Sequence, residues 1–179
     1  MAPRARICLT GPESTGKSEL ARRLARELGA ACVPEFARDY AQHLDRDLTA
    51  DDVEPIAAGC IAYEERHAAD AELVLLDTDL ISTVVYARHY YGACPQWIER
   101  AAAVRRADLY LLMDIDVAWK PDPARDADPS QREVLFVKFS EALEEYRATY
   151  RVVSGAWEVR YRLAAALVSE VTGSAIDTG

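Results

Sequence analysis

The sequence contains no asparagine, only three lysines and only four cysteines among its 179 residues. GTPases read guanine through an Asn-Lys-x-Asp motif, which cannot occur without asparagine. The segment Lys120–Asp122 matches only the Lys-x-Asp spacing. The cysteines are spread along the chain with no CxxC pair, so we expect free thiols and neither a zinc site nor a disulfide framework.

Long apolar runs and positive charge are also scarce. The apolar run near the start is too short for a signal peptide, and no run has membrane-spanning length, so we expect a cytoplasmic protein without membrane contact. The formal net charge of −9 argues against nucleic acid as a partner, because nucleic-acid phosphates favour a basic surface. Half of the residues are apolar, enough for one core, and we expect a single domain over 1–179.

Five apolar runs alternate with helix-periodic segments. This alternation predicts a five-stranded parallel sheet flanked by helices, in a three-layer α/β fold. A polar stretch at about 116–132 contains three prolines and is expected to form a lid. The apolar runs lie at 6–10, 31–34, 72–77, 108–115 and 150–153.

Helix boundaries are predicted at three places. The segment Lys17–Leu28 places leucines on one face and stops at Gly29. Thr49 and Asp52 form a capping start for the next long helix. Residues 157–171 have the periodicity of a closing amphipathic helix.

The eight residues GPESTGKS, from Gly11 to Ser18, match the phosphate-binding P-loop pattern G-x-x-x-x-G-K-[ST] between a predicted strand and a predicted helix. Glycines let backbone amides curl around phosphate oxygens, and the helix N-terminus adds positive potential. Lys17 is expected to bridge the outer phosphates, and the Ser18 hydroxyl to hold Mg²⁺. Since the guanine-reading motif is missing, ATP is favoured. The predicted nucleotide-binding residues are Gly11, Glu13, Ser14, Thr15, Gly16, Lys17, Ser18 and Glu19.

Acidic residues follow two of the predicted strands. Asp77 ends the third strand and is the expected metal-side carboxylate, with Asp79 two residues on. Either could instead cap the following helix. Glu35 and Arg38 follow the second strand, at the edge where ligands of α/β sheets bind. Glu35 could activate an acceptor hydroxyl and Arg38 could steady substrate, although a surface i,i+3 salt bridge would have the same spacing.

The predicted lid offers cations and an aromatic ring. Arg125 and Arg132 could close over a transferred phosphoryl group, or could belong to a solvated loop. Trp119 could stack on a flat ring, especially a cationic one, or pack in the core. Three tyrosines at helical spacing, Tyr86, Tyr90 and Tyr91, are interpreted as core and rim residues and not as a ligand box.

Taken with GPESTGKS, the segments VPEFARDY, VLLDTD and VVSG and the lid residues Trp119, Asp122, Arg125 and Arg132 resemble the ribosylnicotinamide kinase domain of the NadR family over nearly the whole chain. Pro123 stands where that family's lid usually has glycine. The resemblance implies a P-loop kinase fold and a role in NAD biosynthesis. Fuller family members carry an adenylyltransferase domain, and the resemblance does not assign that activity to this sequence.

The residues therefore predict an ATP- and Mg²⁺-dependent small-molecule kinase, and the resemblance implies that it phosphorylates the 5′-hydroxyl of nicotinamide riboside. A kinase for another nucleoside or small metabolite, and an ATP-binding regulatory module with slow hydrolysis, remain as alternatives. Alanine-rich helix faces could pack internally or between subunits, so a homo-oligomer stays open. The predicted roles are catalysis for Lys17, Glu35, Asp77, Arg125 and Arg132, substrate binding for Glu35, Arg38, Asp79, Trp119 and Asp122, and Mg²⁺ binding for Ser18 and Asp77.

Overall fold

A computed structural model describes residues 5–118 and 130–173. The strands are β1 (Ala5–Thr10), β2 (Ala31–Val33), β3 (Leu73–Asp77), β4 (Leu109–Met113) and β5 (Tyr150–Val153). The helices are α1 (Lys17–Leu28), α2 (Phe36–Gln42), α3 (Val53–His67), α4 (Leu80–Tyr91), α5 (Gln96–Val104), α6 (Gln131–Glu145) and α7 (Trp157–Thr172). A 3₁₀ turn, Ala50–Asp52, leads into α3.

The strands form one sheet in the order β2-β3-β1-β4-β5, and every neighbouring pair is parallel. The predicted five-stranded parallel sheet is confirmed. Because β1 is central and the chain passes to either side of it, the loop after β1 opens at the switch in strand order, where α/β sheets bind ligands. The ends of β3 and β4 flank this loop.

The three central strands, β1, β3 and β4, bury both of their faces, as parallel strands covered by helices do, whereas the edge strand β5 leaves Arg151 and Val152 exposed. Alternate side chains point to opposite faces, so Ile7 and Leu9 pack with α1 and α7, while Cys8 and Val74 pack with α3 to α6. Gly59 lets α2 approach α3, because a Cβ there would lie 2.0 Å from the Phe36 ring. The result is a helix layer on each side of the sheet.

The predicted helix boundaries hold closely. The α1 helix spans the predicted residues and ends at Gly29, whose φ of 64° is left-handed. The closing helix α7 begins at the expected residue and continues one residue further.

Most of the predicted lid, residues 119–129, lies outside the described residues. Across the two described ranges, no helix combines the length and apolar character needed to cross a bilayer.

The predicted capping start of α3 is the centre of a polar network. Asp52 is buried, and its carboxylate accepts hydrogen bonds from both terminal nitrogens of Arg46, at 2.7 and 2.9 Å. It also accepts from the Tyr40 hydroxyl at 2.9 Å and from the Thr49 backbone N–H at 2.8 Å. These bonds tie the segment between α2 and α3 to the start of α3.

Replacing Asp52 should destabilise the fold in a pH-dependent way. The hydrogen bonds from Arg46, above all, lower the pKa of Asp52 in the folded protein. The ionised carboxylate therefore stabilises the fold fully above the unfolded-state pKa of about 4, and this stabilisation disappears as pH falls through the folded-state pKa. We expect Asp52→Asn to cost about 1–3 kcal/mol of unfolding free energy at pH 7. Urea denaturation at pH 7 and pH 3 measures this cost. Asp51→Asn, at the exposed neighbour, is the control; an Asp52→Asn cost that is the same at both pH values contradicts the prediction.

Candidate active site

The P-loop leaves β1 and enters α1 through backbone geometry that needs glycine. Gly11 has φ 125° and Gly16 has φ 84°, which side-chain-bearing residues rarely adopt. A Cβ on Gly11 would also lie 3.0 Å from the Met113 carbonyl oxygen at the end of β4. Since α1 begins at Lys17, its N-terminal amides and positive dipole end face the loop. The loop can therefore hold an anion.

The side chains of the loop are largely buried. Lys17 Nζ donates to the Pro12 carbonyl at 2.6 Å, and the Thr15 hydroxyl donates to the same oxygen at 2.9 Å. Glu13 is buried beside them. Glu19 is exposed and pairs with Arg22 at 3.3 Å, so its carboxylate is turned to solvent, away from the buried side chains of the loop. Apart from Glu19, the predicted loop residues lie together between β1 and the first turn of α1.

Asp77 lies beside this loop, at the end of β3. The two predicted metal ligands are neighbours, because the Ser18 side chain is close enough to Asp77 to influence its pKa by hydrogen bonding. Burial, and then the negative charge of Glu35, raise the pKa of Asp77, while Ser18 and Lys17 act in the opposite direction. Asp77 Oδ1 is buried and has no hydrogen-bond partner among the described residues.

A divalent cation fits this arrangement. It would give the buried Asp77 oxygen a partner and offset the negative charge that Asp77 shares with Glu35. No group of three or more histidine, cysteine or acidic side chains suited to a metal is present in the described ranges. Mg²⁺ at Ser18 and Asp77 would therefore take its other ligands from phosphate and water, which is how Mg²⁺ is commonly held.

Glu35 and Arg38 lie at the start of α2, on the same edge of the sheet. Arg38 Nε is 3.6 Å from Glu35 Oε2, so the alternative of an i,i+3 salt bridge describes a real contact. It is not a surface pair, however, because Glu35 is only 6% exposed. Its carboxylate is close enough to Asp77 to raise the pKa of that group. Glu35 is thus a buried acid next to the phosphate loop.

A cavity of about 300 Å³ opens from Glu13 and Glu35 and extends between α2, α3 and α4. Tyr86, Tyr90 and Tyr91 line it, so the interpretation of these tyrosines as core and rim residues is incomplete. The rings of Tyr86 and Tyr90 are nearly parallel, with centroids 6.1 Å apart. Their helical spacing after the Asp77 motif was the sequence signal, but spacing alone does not tell a cavity wall from a core. Other lining residues include Arg46, Asp47, Thr49, Val53, Ile56 and Thr83.

Asp79 does what its alternative interpretation expected and caps α4. Oδ1 accepts from the Ile81 backbone N–H at 2.9 Å, and Oδ2 accepts from the Tyr110 hydroxyl at 2.5 Å. Burial raises the pKa of Asp79, although both hydrogen bonds act in the opposite direction. Asp79 does not line the tyrosine-walled cavity, and its part in substrate binding stays a prediction.

Arg132, in the first turn of α6, is brought to the phosphate loop. Its Nη1 donates to the Val117 carbonyl at 3.1 Å and its Nη2 to the Ser14 carbonyl at 3.5 Å. Burial and the nearby Arg160 charge lower the pKa of Arg132. The other predicted lid residues, Trp119, Asp122 and Arg125, lie outside the described residues.

Arg160 was missed by sequence reasoning. Its side chain is 1% exposed and donates to the backbone carbonyls of Thr15, Asp114 and Gly155 and to the carboxylate of Asp116. In the sequence it is one of two arginines in the polar pattern of a closing amphipathic helix. No local signal distinguishes it from Arg162, which is exposed.

Comparison with known proteins finds similarity to NadR proteins. The NadR protein of Escherichia coli (strain K12), a trifunctional NAD biosynthesis/regulator protein, is 29% identical over 174 residues. The match covers 93% of this chain and 42% of the relative, so the chain spans less than half of the relative's length.

Two solved structures share the fold. A NadR protein in complex with NR is 26% identical with a TM-score of 0.83, and the match covers 98% of this chain and 52% of that one. A NadR protein in complex with NAD and AMP-PNP is 27% identical with a TM-score of 0.81, over 98% of this chain and 51% of that one. A family model described as an AAA domain matches residues 6–160. Since the match spans most of the chain, from the phosphate loop to Arg160, the protein belongs to this AAA domain family.

Proposed function

We propose that this chain transfers the γ-phosphoryl group of ATP to the 5′-hydroxyl of nicotinamide riboside. One observation carries the proposal: the buried carboxylate of Glu35 lies where the phosphate loop meets the tyrosine-lined cavity. A donor phosphate and an acceptor hydroxyl placed on either side of Glu35 would be close enough to react, which is the main requirement of phosphoryl transfer.

The donor side is supported by the P-loop. Lys17 and the loop amides would bind the β- and γ-phosphates, and Arg132, already against the Ser14 carbonyl, would approach the γ-phosphate. Mg²⁺, held by Ser18 and Asp77, would neutralise phosphate charge. The AMP-PNP bound by a similar NadR protein agrees with ATP as the donor. Arg125 is proposed to join Arg132 at the transferred group.

The acceptor side is supported by the chemistry of the cavity. Nicotinamide riboside carries a flat, cationic pyridinium ring, and tyrosine faces attract such rings. Glu13 and Glu35, both buried, add negative charge to the lining of the cavity. NR, the ligand of a similar NadR protein, is nicotinamide riboside. In the proposal Glu35 orients or deprotonates the 5′-hydroxyl, while Arg38, Asp79, Trp119 and Asp122 help to hold the nucleoside.

The direct test is product formation. The protein is incubated with ATP, Mg²⁺ and nicotinamide riboside, other nucleosides or mononucleotides, and products are identified by mass. Formation of nicotinamide mononucleotide at a higher kcat/KM than any other product supports the proposal. Preference for another acceptor assigns a different kinase, and ATP binding without any phosphorylated product favours the regulatory module.

Glu35→Gln should lower kcat by about 10²–10⁴-fold, because it removes a positioned base while keeping the shape of the side chain. The dissociation constant of ATP should change little, since Glu35 is not part of the phosphate loop. Steady-state kinetics and ATP titration measure the two effects. Glu54→Gln, at an exposed position on α3, is the matched control and should behave as wild type. Wild-type turnover in Glu35→Gln would remove Glu35 from the chemistry.

Ser18→Ala should raise the Mg²⁺ concentration needed for half-maximal activity. The variant loses a ligand hydroxyl and also the hydrogen bonding that acts on Asp77. Asp77→Asn should have a larger effect, because a neutral amide binds Mg²⁺ more weakly than a carboxylate. Activity is titrated with Mg²⁺ at fixed ATP. An unchanged Mg²⁺ requirement in both variants would place the metal elsewhere.

Tyr86→Leu should raise the KM for nicotinamide riboside about fivefold or more, because a desolvated cation–π contact is worth about 1–2 kcal/mol. The KM for ATP should stay within twofold, since Tyr86 lies on the acceptor side. Tyr150→Leu, far from the cavity on β5, is the control for loss of a tyrosine. Equal changes in both KM values for Tyr86→Leu would indicate general disruption instead of acceptor binding.

A further inference from the structure

The first turn of α7 packs directly against the phosphate loop. A Cβ on Gly16 would lie 3.3 Å from the Trp157 ring, so the ring lies next to this glycine, which stays exposed on its other side. One turn further along α7, Arg160 Nη1 donates to the Thr15 carbonyl at 3.2 Å. Both contacts converge on a single peptide group, the one that joins Thr15 to Gly16.

The orientation of that peptide group matters for anion binding. The Thr15 carbonyl and the Gly16 N–H belong to the same planar trans peptide, in which C=O and N–H point in opposite directions. A donor that holds the carbonyl on one side therefore turns the N–H to the other side. A positively charged donor next to the carbonyl oxygen also polarises the peptide and makes its N–H a stronger donor.

Arg160 is itself held rigidly. Its Nε donates to the Gly155 carbonyl at 2.9 Å and its Nη2 to the Asp114 carbonyl at 3.0 Å, and Asp116 pairs with the same guanidinium. Asp116 in turn accepts from the Gly155 backbone N–H at 2.6 Å. The planar guanidinium thus joins the loop after β4, the loop after β5 and the phosphate loop, a task that suits the fixed fork of arginine.

We propose that Arg160 is a positioning residue for phosphate binding, which holds the Thr15–Gly16 peptide so that the Gly16 N–H faces the phosphates. This inference rests on the proposed binding of ATP but not on the identity of the acceptor. Arg160 touches no phosphate and acts through the backbone. Its effect should therefore appear with any polyphosphate, with or without a nucleoside attached.

The test compares Arg160→Met, Arg160→Lys and the exposed control Arg162→Met. Binding of tripolyphosphate and of ATP, each with Mg²⁺, is measured by calorimetry at a temperature where circular dichroism shows folded protein. Arg160→Met should weaken both ligands by about tenfold to a hundredfold, the range for a lost charge-assisted hydrogen bond. Arg160→Lys should recover part of this loss, because one ammonium cannot reach all three segments. Arg162→Met should bind both ligands as tightly as wild type does. The affinity for nicotinamide riboside should be unchanged in all three variants.

A second measurement reports on the peptide itself. The chain has eight glycines, so labelling with ¹⁵N-glycine gives a sparse spectrum that includes Gly16 and Gly155. Tripolyphosphate should shift the Gly16 amide strongly in wild type and much less in Arg160→Lys. An equal Gly16 shift in both proteins would overturn the inference.

The outcomes separate this inference from the proposed function. Wild type that binds neither ATP nor tripolyphosphate refutes ATP binding. Wild type and Arg160→Met that bind it equally refute the role of Arg160 alone, and so does an equal loss of affinity for nicotinamide riboside. Failure of both Arg160 variants to fold assigns the residue to stability and overturns the inference. A wild type that phosphorylates a different acceptor leaves the role of Arg160 standing.

Discussion

An anion can be held in the phosphate loop only while several of its backbone N–H groups converge on one point. Converging dipoles repel one another, so the loop needs support from outside. The Pro12 carbonyl takes hydrogen bonds from Lys17 and Thr15, and the Thr15 carbonyl takes one from Arg160. Two carbonyl oxygens of the loop are thereby held by donors, one of them from within the loop and the other from α7.

Negative charge is concentrated beside this loop, at one edge of the sheet. Asp77 ends β3, and Glu35 follows the end of the neighbouring parallel strand β2, so the two residues lie close together. Two neighbouring buried carboxylates disfavour each other's ionised form, and the negative charge of Glu35 is one cause of the raised pKa of Asp77. Lys17, a divalent cation and a cationic substrate would all relieve this repulsion. A ligand that brings positive charge together with phosphate would therefore suit this edge of the sheet.

Acceptor and donor regions are separated by the same sheet topology. The cavity wall comes from α2, α3 and α4, which follow β2 and β3 on one side of β1. The support for the phosphate loop comes from α6 and α7, which follow β4 and β5 on the other side. Glu35 belongs to the first group and Arg132 to the second.

The sequence by itself determined the features that depend on local pattern. Strand runs, the limits of α1, the cap at Asp52 and the phosphate loop follow from periodicity, capping residues and glycine spacing, all of which act over a few residues. Tertiary structure decided the rest, because it depends on which distant segments meet. Spacing could not tell whether Glu35 is buried, that three tyrosines line a cavity or that Asp79 reaches Tyr110. Nor could it separate Arg160 from Arg162, since one helical residue turns inward and the other outward only when α7 is packed against the loop.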